Sequence, residues 1–275
     1  MNLLAFSTLA CPSWSVDTII EQAVEFGYQG IEWRGGPEGH IPPTMPARQQ
    51  VALRQKSNDA GLIALAITTY TSFVSSFPEE RKSNVDELKR YADLAAELGA
   101  GYIRAFLGEL PAATKLVSGI YENISDCLQV ACEYASTLGV KIAVEPHDTF
   151  TRSSVVLPVF DPSHPDLRVI WDLGNTFAAG EEPAEGFNLL KDRLAYVQVK
   201  DGKRSDSGWQ LCSLGEGQVP LARTVELLSD CGYEGAFSVE WEYAWHPELD
   251  PPEIALPAAL QTLKSLLSYV ESEPR

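Results

Sequence analysis

The chain has 275 residues, 45% of them hydrophobic, and a formal net charge of −17. This length suits one α/β barrel of roughly 250 residues, and no linker divides the chain. The negative charge argues against a nucleic-acid partner, because binding to a phosphate backbone depends on Lys and Arg, and against anionic membrane surfaces. It leaves small-molecule substrates open.

The cysteines and the start of the chain indicate a compartment. Five scattered cysteines without Cys-x-x-Cys spacing are typical of a reducing environment. The apolar start lacks the basic residues of a signal peptide, and no apolar run is long enough to span a bilayer. We therefore expect a cytoplasmic protein without a membrane partner. The apolar segment 241–257 could cover a second copy, which leaves a homo-oligomer open.

One local pattern recurs along the chain: a helix ends at Gly, and a β-rich run starts a few residues later. Gly can close a helix in the left-handed conformation at low cost. The pattern therefore predicts regular alternation of helices and strands. It occurs at Gly27, Gly61, Gly99, Gly139 and Gly232.

The hydrophobic periodicity assigns these elements. Helical stripes lie within 85–98 and 120–138, the latter ending at Leu138, and a last helix is predicted over 252–270. Short apolar runs, as in strands buried on both faces, lie at 3–8, 30–33, 62–69, 102–107, 141–145, 168–172, 195–200 and 236–241. Eight such units predict a single-domain α/β protein, a (β/α)8 TIM barrel over residues 1–275. An open doubly wound sheet is less favoured, because no Gly-rich phosphate turn follows the first strand.

Four of the predicted strands end in an oxygen-bearing side chain: Glu145, Asp172, Gln198 and Glu240. The carboxyl ends of barrel strands form the catalytic face, so these side chains should converge. Three carboxylates brought together repel each other unless a cation or protons intervene. Three carboxylates and one amide are the oxygen ligands of a hard cation, and they favour Mg²⁺ or Mn²⁺ over Zn²⁺.

Each of these residues also has a simpler interpretation. The acids could be exposed loop residues, which is where Asp and Glu usually lie. Gln198 could hydrogen-bond a substrate or fill the barrel without binding a metal.

Period-two alternation places further polar residues at the same mouth. His147 follows Glu145 and Lys200 follows Gln198, so either could transfer protons or hold substrate oxygens. Lys200 could instead form a salt bridge to a site carboxylate or to Asp201. Arg104, near the end of the fourth strand, could bind a carboxylate, a phosphate or a hydroxyl pair, or form a structural ion pair.

Taken together, several motifs resemble the xylose isomerase-like barrel superfamily of sugar phosphate isomerases and epimerases. The resemblance covers nearly the whole length. The motifs are Val-Glu-Pro-His-Asp at 144–148, Trp-Asp-Leu-Gly-Asn at 171–175, Val-Gln-Val-Lys-Asp at 197–201, Leu-Gly-Glu-Gly at 214–217 and Ser-Val-Glu-Trp-Glu at 238–242.

The resemblance implies one Mg²⁺ or Mn²⁺ ion held by residues at the ends of strands five to eight. Carried over, the ligands are Glu145, Asp172, Gln198 and Glu240. Gln198 stands where the family has His, and Asn175 stands where the family often has a second His. The apurinic-site endonucleases of this fold need a His-rich zinc cluster, which a chain with four histidines and this charge does not offer.

The family resemblance also implies an enzyme, and it leaves the reaction open. The leading hypothesis is a metal-dependent isomerase or epimerase of a ketose or related polyol. It acts through a metal-stabilised enediolate, with Glu145 and Glu240 as paired base and acid and with His147 and Lys200 as further catalytic residues. The expected substrate-binding residues are Glu32, Tyr70, Arg104 and Asn175.

Two rivals remain. One is a dehydratase (a lyase) of the 3-dehydroshikimate or inosose type. The active-site lining of that branch is similar to a set of residues in this chain: Glu32, Tyr70, Arg104, His147 and Lys200. The other is a catalytically inactive barrel that binds a sugar, which only the replacement of His by Gln198 favours.

Overall fold

The computed structural model describes residues 2–111, 114–160, 165–206 and 208–272. In chain order its strands are β1 (Leu3–Ser7), β2 (Gly30–Arg34), β3 (Ile63–Thr68), β4 (Tyr102–Ala105), β5 (Lys141–Val144), β6 (Arg168–Asp172), β7 (Leu194–Val199), β8 (Asp201–Ser205), β9 (Gly208–Cys212) and β10 (Ala236–Val239). Eight of them close into a parallel barrel in the order β1-β10-β7-β6-β5-β4-β3-β2. The (β/α)8 barrel predicted from the sequence is confirmed.

The helices lie outside the barrel and connect its strands. They are α1 (Val16–Phe26), α2 (Ala47–Asp59), α3 (Pro78–Leu98), α4 (Ser118–Thr137), α5 (Ser153–Val156), α6 (Leu173–Ala178), α7 (Pro183–Leu190), α8 (Leu221–Asp230) and α9 (Pro252–Ser272). None of the described helices is long and apolar enough to cross a membrane.

The predicted helix ends are largely correct. α1 and α3 end at Gly27 and Gly99, whose φ angles of +88° and +74° place them in the left-handed region. The apolar stripe of α3 is buried as predicted. The stripe of α4 is wrong at its last member, because Leu138 lies beyond the helix and is exposed.

Two apolar clusters hold the fold together. The larger one packs the helices against the outer faces of the strands and contains Trp33, Trp171 and Phe237. The smaller one consists of strand residues alone, among them Ile170 and Tyr196. The barrel interior is therefore a packed core at this level, and the polar strand ends lie beyond it.

The antiparallel hairpin of β8 and β9 was not predicted. It follows the seventh barrel strand directly, and the chain then turns back around Asp201. The Asp201 carboxylate accepts hydrogen bonds from the backbone N–H groups of Gly215, Gly217 and Val219. A Cβ on Gly217 would lie 1.9 Å from Asp201 Oδ1. The Leu-Gly-Glu-Gly motif therefore folds around the Asp201 carboxylate, which leaves no room for a side chain at position 217.

Candidate active site

Three carboxylates converge at the carboxyl ends of the barrel strands. Glu145 and Glu240 immediately follow β5 and β10, and Asp172 is the last residue of β6. One oxygen from each lies within 4.8 Å of the others, and all three residues are buried. The predicted convergence is therefore present in the fold, at distances that a metal ion could bridge.

Two basic side chains reach into this group. Arg104 Nη1 donates to Glu145 Oε2 at 2.8 Å and lies 3.6 Å from Glu240 Oε1. Lys200 Nζ lies 2.8 Å from Asp172 Oδ2 and 2.7 Å from Glu240 Oε2, and it also contacts Glu242. Lys200 therefore pairs with site carboxylates, while Asp201 binds the backbone of its own loop.

Burial and charge push the carboxyl pKa values in different directions. Burial raises the pKa of Glu145 to about 8 against the lowering effect of Arg104. Burial likewise raises the pKa of Asp172 to about 8, although Lys200 opposes it. Burial acts in the same sense on Glu240, but Lys200 and Arg104 together bring its pKa below the ordinary value. Without further positive charge, the site holds protons at neutral pH.

Gln198 lies between two acids and orients its amide accordingly. Its Nε2 donates to Glu32 Oε1 at 2.8 Å and to Glu240 Oε1 at 3.1 Å. Carboxylate oxygens need donors, so this orientation of the amide is the favourable one. Gln198 Oε1 is buried and accepts no hydrogen bond from the described part of the chain. A buried acceptor without a donor requires an explanation, and a cation would supply one.

Glu32 lies beneath the site and does not line its cavity. The residue is 0% exposed. It accepts hydrogen bonds from the Tyr196 hydroxyl at 2.7 Å and from Ser238 Oγ at 2.6 Å, in addition to the Gln198 amide. The pairing of β2 with β3 shifts register between Ile31 and Glu32. Burial, and after it Glu240, raises the pKa of Glu32.

The donor set fits a divalent cation. Among the described residues, the contact network contains five carboxyl groups and two basic groups: Glu32, Glu145, Asp172, Glu240 and Glu242, with Arg104 and Lys200. A buried excess of negative charge is costly unless it is protonated or paired with a cation. Gln198, whose amide nitrogen contacts Glu240, has a buried oxygen without a hydrogen-bond donor among the described residues. Hard divalent cations prefer such oxygens.

A cavity of about 570 Å³ opens above these groups. Aromatic rings form part of its wall: Tyr70 packs edge-on against Phe106 and Trp245, with ring centroids 6.1 Å and 6.4 Å apart. Behind them, Arg34 lies over the Trp245 ring at 4.7 Å and donates to the Tyr70 hydroxyl. The cavity can therefore receive a ligand with an apolar face and oxygen atoms that reach its charged floor.

His147 lies on the cavity wall, stacked on Phe106 with ring centroids 4.4 Å apart. Its Nδ1 lies 2.8 Å from Asp148 Oδ1. Asp148 adopts a φ of +51°, an uncommon value for a residue with a side chain. Nδ1 nevertheless forms no hydrogen bond with the described residues, and the imidazole lines the cavity.

Some of the predicted site residues line the cavity, and others hold the carboxylates in place. Tyr70, Arg104, His147 and Lys200 line the cavity with Glu145 and Glu240. Asn175 instead supports the carboxylates: its side chain donates to Glu145 at 3.3 Å, and its backbone N–H donates to Asp172 at 2.8 Å.

The cavity residues without a predicted role include Phe106, Asp148, Glu242 and Trp245. Because side chains alternate along a strand, Phe106 shares a face with Arg104, and Glu242 shares a face with Glu240. Trp245 lies in a loop, where alternation gives no information.

The fold and the site define a barrel with an acidic cluster at the catalytic end of its strands. The family model described as "Xylose isomerase-like TIM barrel" matches residues 20–266, and the chain belongs to this family.

Relatives of known activity include an epimerase and a dehydratase. The chain is 26% identical over 271 residues to fructoselysine 3-epimerase of Escherichia coli O157:H7, covering 92% of this chain and 94% of that protein. It is 24% identical over 208 residues to inosose dehydratase of Geobacillus kaustophilus strain HTA426, covering 68% and 62% respectively. These relatives indicate an enzyme of this superfamily.

A solved structure shares the fold. The structure of the IolI protein with a binding zinc atom has a TM-score of 0.81 and 20% sequence identity, and the match covers 99% of this chain and 100% of that chain. The zinc is a property of that protein.

Proposed function

We propose that this protein is an isomerase or epimerase of a ketose or related polyol. It depends on Mg²⁺ or Mn²⁺ and acts through an enediolate-like state of the substrate. The observation that carries the proposal is the convergence of Glu145, Asp172 and Glu240 at the strand ends, where Glu145 and Glu240 line an open cavity. The epimerase relative that matches most of the chain supports the same class of reaction.

The proposed ligands are Glu145, Asp172, Gln198 and Glu240. A bound Mg²⁺ or Mn²⁺ would polarise the substrate carbonyl and so acidify the neighbouring C–H. Glu32 fixes the amide of Gln198 so that its oxygen, and not its nitrogen, is available. An amide oxygen is harder than an imidazole nitrogen, which favours Mg²⁺ or Mn²⁺ over Zn²⁺.

Glu240 and Glu145 are the proposed proton-transfer pair. They stand on β10 and β5, so they approach a substrate in the mouth from different sides. Their environments separate their pKa values: Glu240 is held ionised by Lys200 and Arg104, and burial favours the protonated form of Glu145. This difference, which belongs to the metal-free protein, favours Glu240 as the base and Glu145 as the acid. Glu240 would take the proton, and Glu145 would return one to the opposite face.

The cavity wall would select and orient the substrate. The exposed faces of Tyr70 and Trp245 suit the C–H face of a sugar. The imidazole of His147 is placed to bind a substrate hydroxyl, and the Arg104 guanidinium lies at the cavity floor. These residues would hold the reacting carbon near the carboxylate pair, and correct orientation of the reacting groups lowers the activation barrier.

Hydrogen exchange from solvent tests this proposal. The wild-type protein, supplied with Mn²⁺ and a panel of ketohexoses in D₂O, should incorporate deuterium next to the carbonyl of at least one sugar. Glu240→Gln should slow that exchange by about 10²–10⁴-fold, the usual contribution of a general base. Glu21→Gln, an exposed acid on α1, is the matched control. Exchange at the wild-type rate in Glu240→Gln would contradict the role of Glu240.

A dehydratase is the second candidate, favoured by the position of His147. An imidazole on the cavity wall, paired with Asp148, could protonate a leaving β-hydroxyl after the same C–H cleavage. The inosose dehydratase relative supports this alternative. An assay panel with inosose and dehydroshikimate separates the two reactions, since a dehydratase forms a new ultraviolet-absorbing double bond. Turnover of ketohexoses without such a product would favour the epimerase, and no turnover of any substrate would favour an inactive barrel.

A further inference from the structure

We propose that Lys200 is a resident cation that competes with the divalent metal for Asp172 and Glu240, and that Glu242 is the partner that holds Lys200 when the metal binds. This inference rests on the proposed function, because it assumes that Asp172 and Glu240 are metal ligands. It adds a role in metal affinity to a lysine that the sequence places among the catalytic residues.

The first observation is the position of the ammonium group. Lys200 Nζ lies 2.8 Å from Asp172 Oδ2 and 2.7 Å from Glu240 Oε2. A Mg²⁺ ion binds its oxygens at about 2.0–2.1 Å, so an ion that bridges these two oxygens needs the space in which the ammonium lies. Two cations at this separation also repel each other strongly in a buried site. Metal and ammonium therefore exclude each other there.

The second observation is that the fold prepares this position. Lys200 is buried, and its stem passes against α6 at Gly174. A Cβ on Gly174 would lie 2.4 Å from Lys200 Cγ. Only a residue without a side chain leaves room for the stem at this point, so the lysine is packed into the site. It is not a surface side chain that reaches in by chance.

The third observation is that Lys200 contacts a carboxylate outside the proposed ligand set. Glu242 lies two residues beyond Glu240 on the same face, and its side chain is 21% exposed, compared with 3% for Glu240 and 0% for Asp172. The flexible lysine stem can turn the ammonium toward this outer acid. Lys200 would then keep an ion pair while it releases Asp172 and Glu240. The exchange replaces one cation by another without leaving a buried charge unpaired.

Metal affinity of substituted proteins tests the proposal. The probe is Mn²⁺ titrated by calorimetry into the metal-stripped full-length chain. Lys200→Met keeps the stem and removes the charge, so we expect Mn²⁺ to bind at least about tenfold more tightly. Glu242→Gln leaves the ammonium without its outer partner, so binding should weaken several-fold. Lys203→Met and Glu21→Gln, exposed residues of the β8–β9 hairpin and of α1, should bind as the wild type does.

The double variant Lys200→Met/Glu242→Gln separates this mechanism from a general effect of charge. If Glu242 acts through Lys200, its substitution should change Mn²⁺ affinity little once the lysine is gone. If Glu242 simply adds negative potential, the same weakening should persist in the double variant, and the role of Glu242 would be wrong. Circular dichroism of each metal-stripped variant checks that it folds. Should Lys200→Met not fold, unchanged or tighter binding by Glu242→Gln overturns the proposal.

The outcomes also separate this inference from the proposed function. If the wild type binds Mn²⁺ as tightly as Lys200→Met does, or more tightly, the competition is overturned and the metal site stays intact. Binding by Lys200→Met alone supports the competition and contradicts metal dependence of the wild-type enzyme. Binding by neither protein overturns both.

Discussion

Along single strands of this barrel, the side chains that face inward change from apolar to charged within two residues. Ala143 and Ile170 belong to the small apolar cluster, whereas Glu145 and Asp172, two positions further along, belong to the acidic cluster at the strand ends. The apolar cluster forms the lower level of the barrel interior, and the charged strand ends form the upper level. Tyr196 connects them, because its ring packs in the apolar cluster and its hydroxyl donates to Glu32. The lower level stabilises the barrel by burial, and the upper level holds charges that are costly without partners.

The largest effect on stability is expected from removing a basic side chain of the upper level. Arg104→Met leaves Glu145 without its buried partner and should lower the free energy of unfolding of the metal-free protein by about 3–5 kcal/mol. Urea unfolding measures it. Arg223→Met, which breaks an exposed pair with Glu226, is the control and should cost under about 1 kcal/mol. Equal effects of the two substitutions would show that the upper level is not electrostatically distinct.

The pH dependence of stability should be a property of the upper level. Glu145 and Asp172 have folded-state pKa values raised to about 8, so between about pH 4 and pH 8 the native state keeps protons that the unfolded state has released. Their contribution is therefore present below the unfolded-state pKa and is lost as the pH rises, by up to about 1.4 kcal/mol per pH unit for each group. Glu240, with its lowered pKa, acts in the opposite sense.

Asp172→Asn isolates this effect, because Asn cannot ionise and still caps α6 as Asp172 does. In the presence of chelator, the stability of the wild type should fall relative to that of Asp172→Asn between about pH 5 and pH 8. Urea unfolding across this range measures the difference. Parallel pH profiles for the two proteins would be incompatible with a raised pKa of Asp172. Mn²⁺ should flatten the wild-type profile, because a bound metal favours the ionised carboxylates.

The smallest effect is expected at the lower level. Ile170→Val removes one buried methylene and should cost about 0.5–1.5 kcal/mol of unfolding free energy, while Mn²⁺ affinity stays unchanged. Ile63→Val at the exposed start of β3 is the matched control and should cost less. A change in metal affinity with Ile170→Val would mean that the two levels are coupled through packing.

The barrel strands could be predicted because each one is a short apolar run, a pattern contained in a few consecutive residues. Each strand ends within two residues of its predicted position, and period two identifies most inward-facing residues. Contacts between strands are not local, and they account for what could not be predicted. Glu32 was expected to touch substrate, but the closure of the barrel sets it below Gln198. The ion pairs of Lys200 likewise depend on the spacing of β6, β7 and β10.

The hairpin of β8 and β9 shows the same limit in another way. Its residues have no strong apolar alternation, and it is held by the wrap of the following loop around Asp201. A carboxylate that binds backbone N–H groups of a later segment leaves no periodic pattern in the sequence.

The central claim is that the three carboxylates hold a divalent cation of the Mg²⁺ or Mn²⁺ type. Elemental analysis of the protein purified without chelator tests it most directly, with Asp172→Asn as the comparison. The account predicts about one equivalent of magnesium or manganese per chain in the wild type, and loss of that metal in Asp172→Asn. Stoichiometric zinc, or equal metal content in the two proteins, would contradict it.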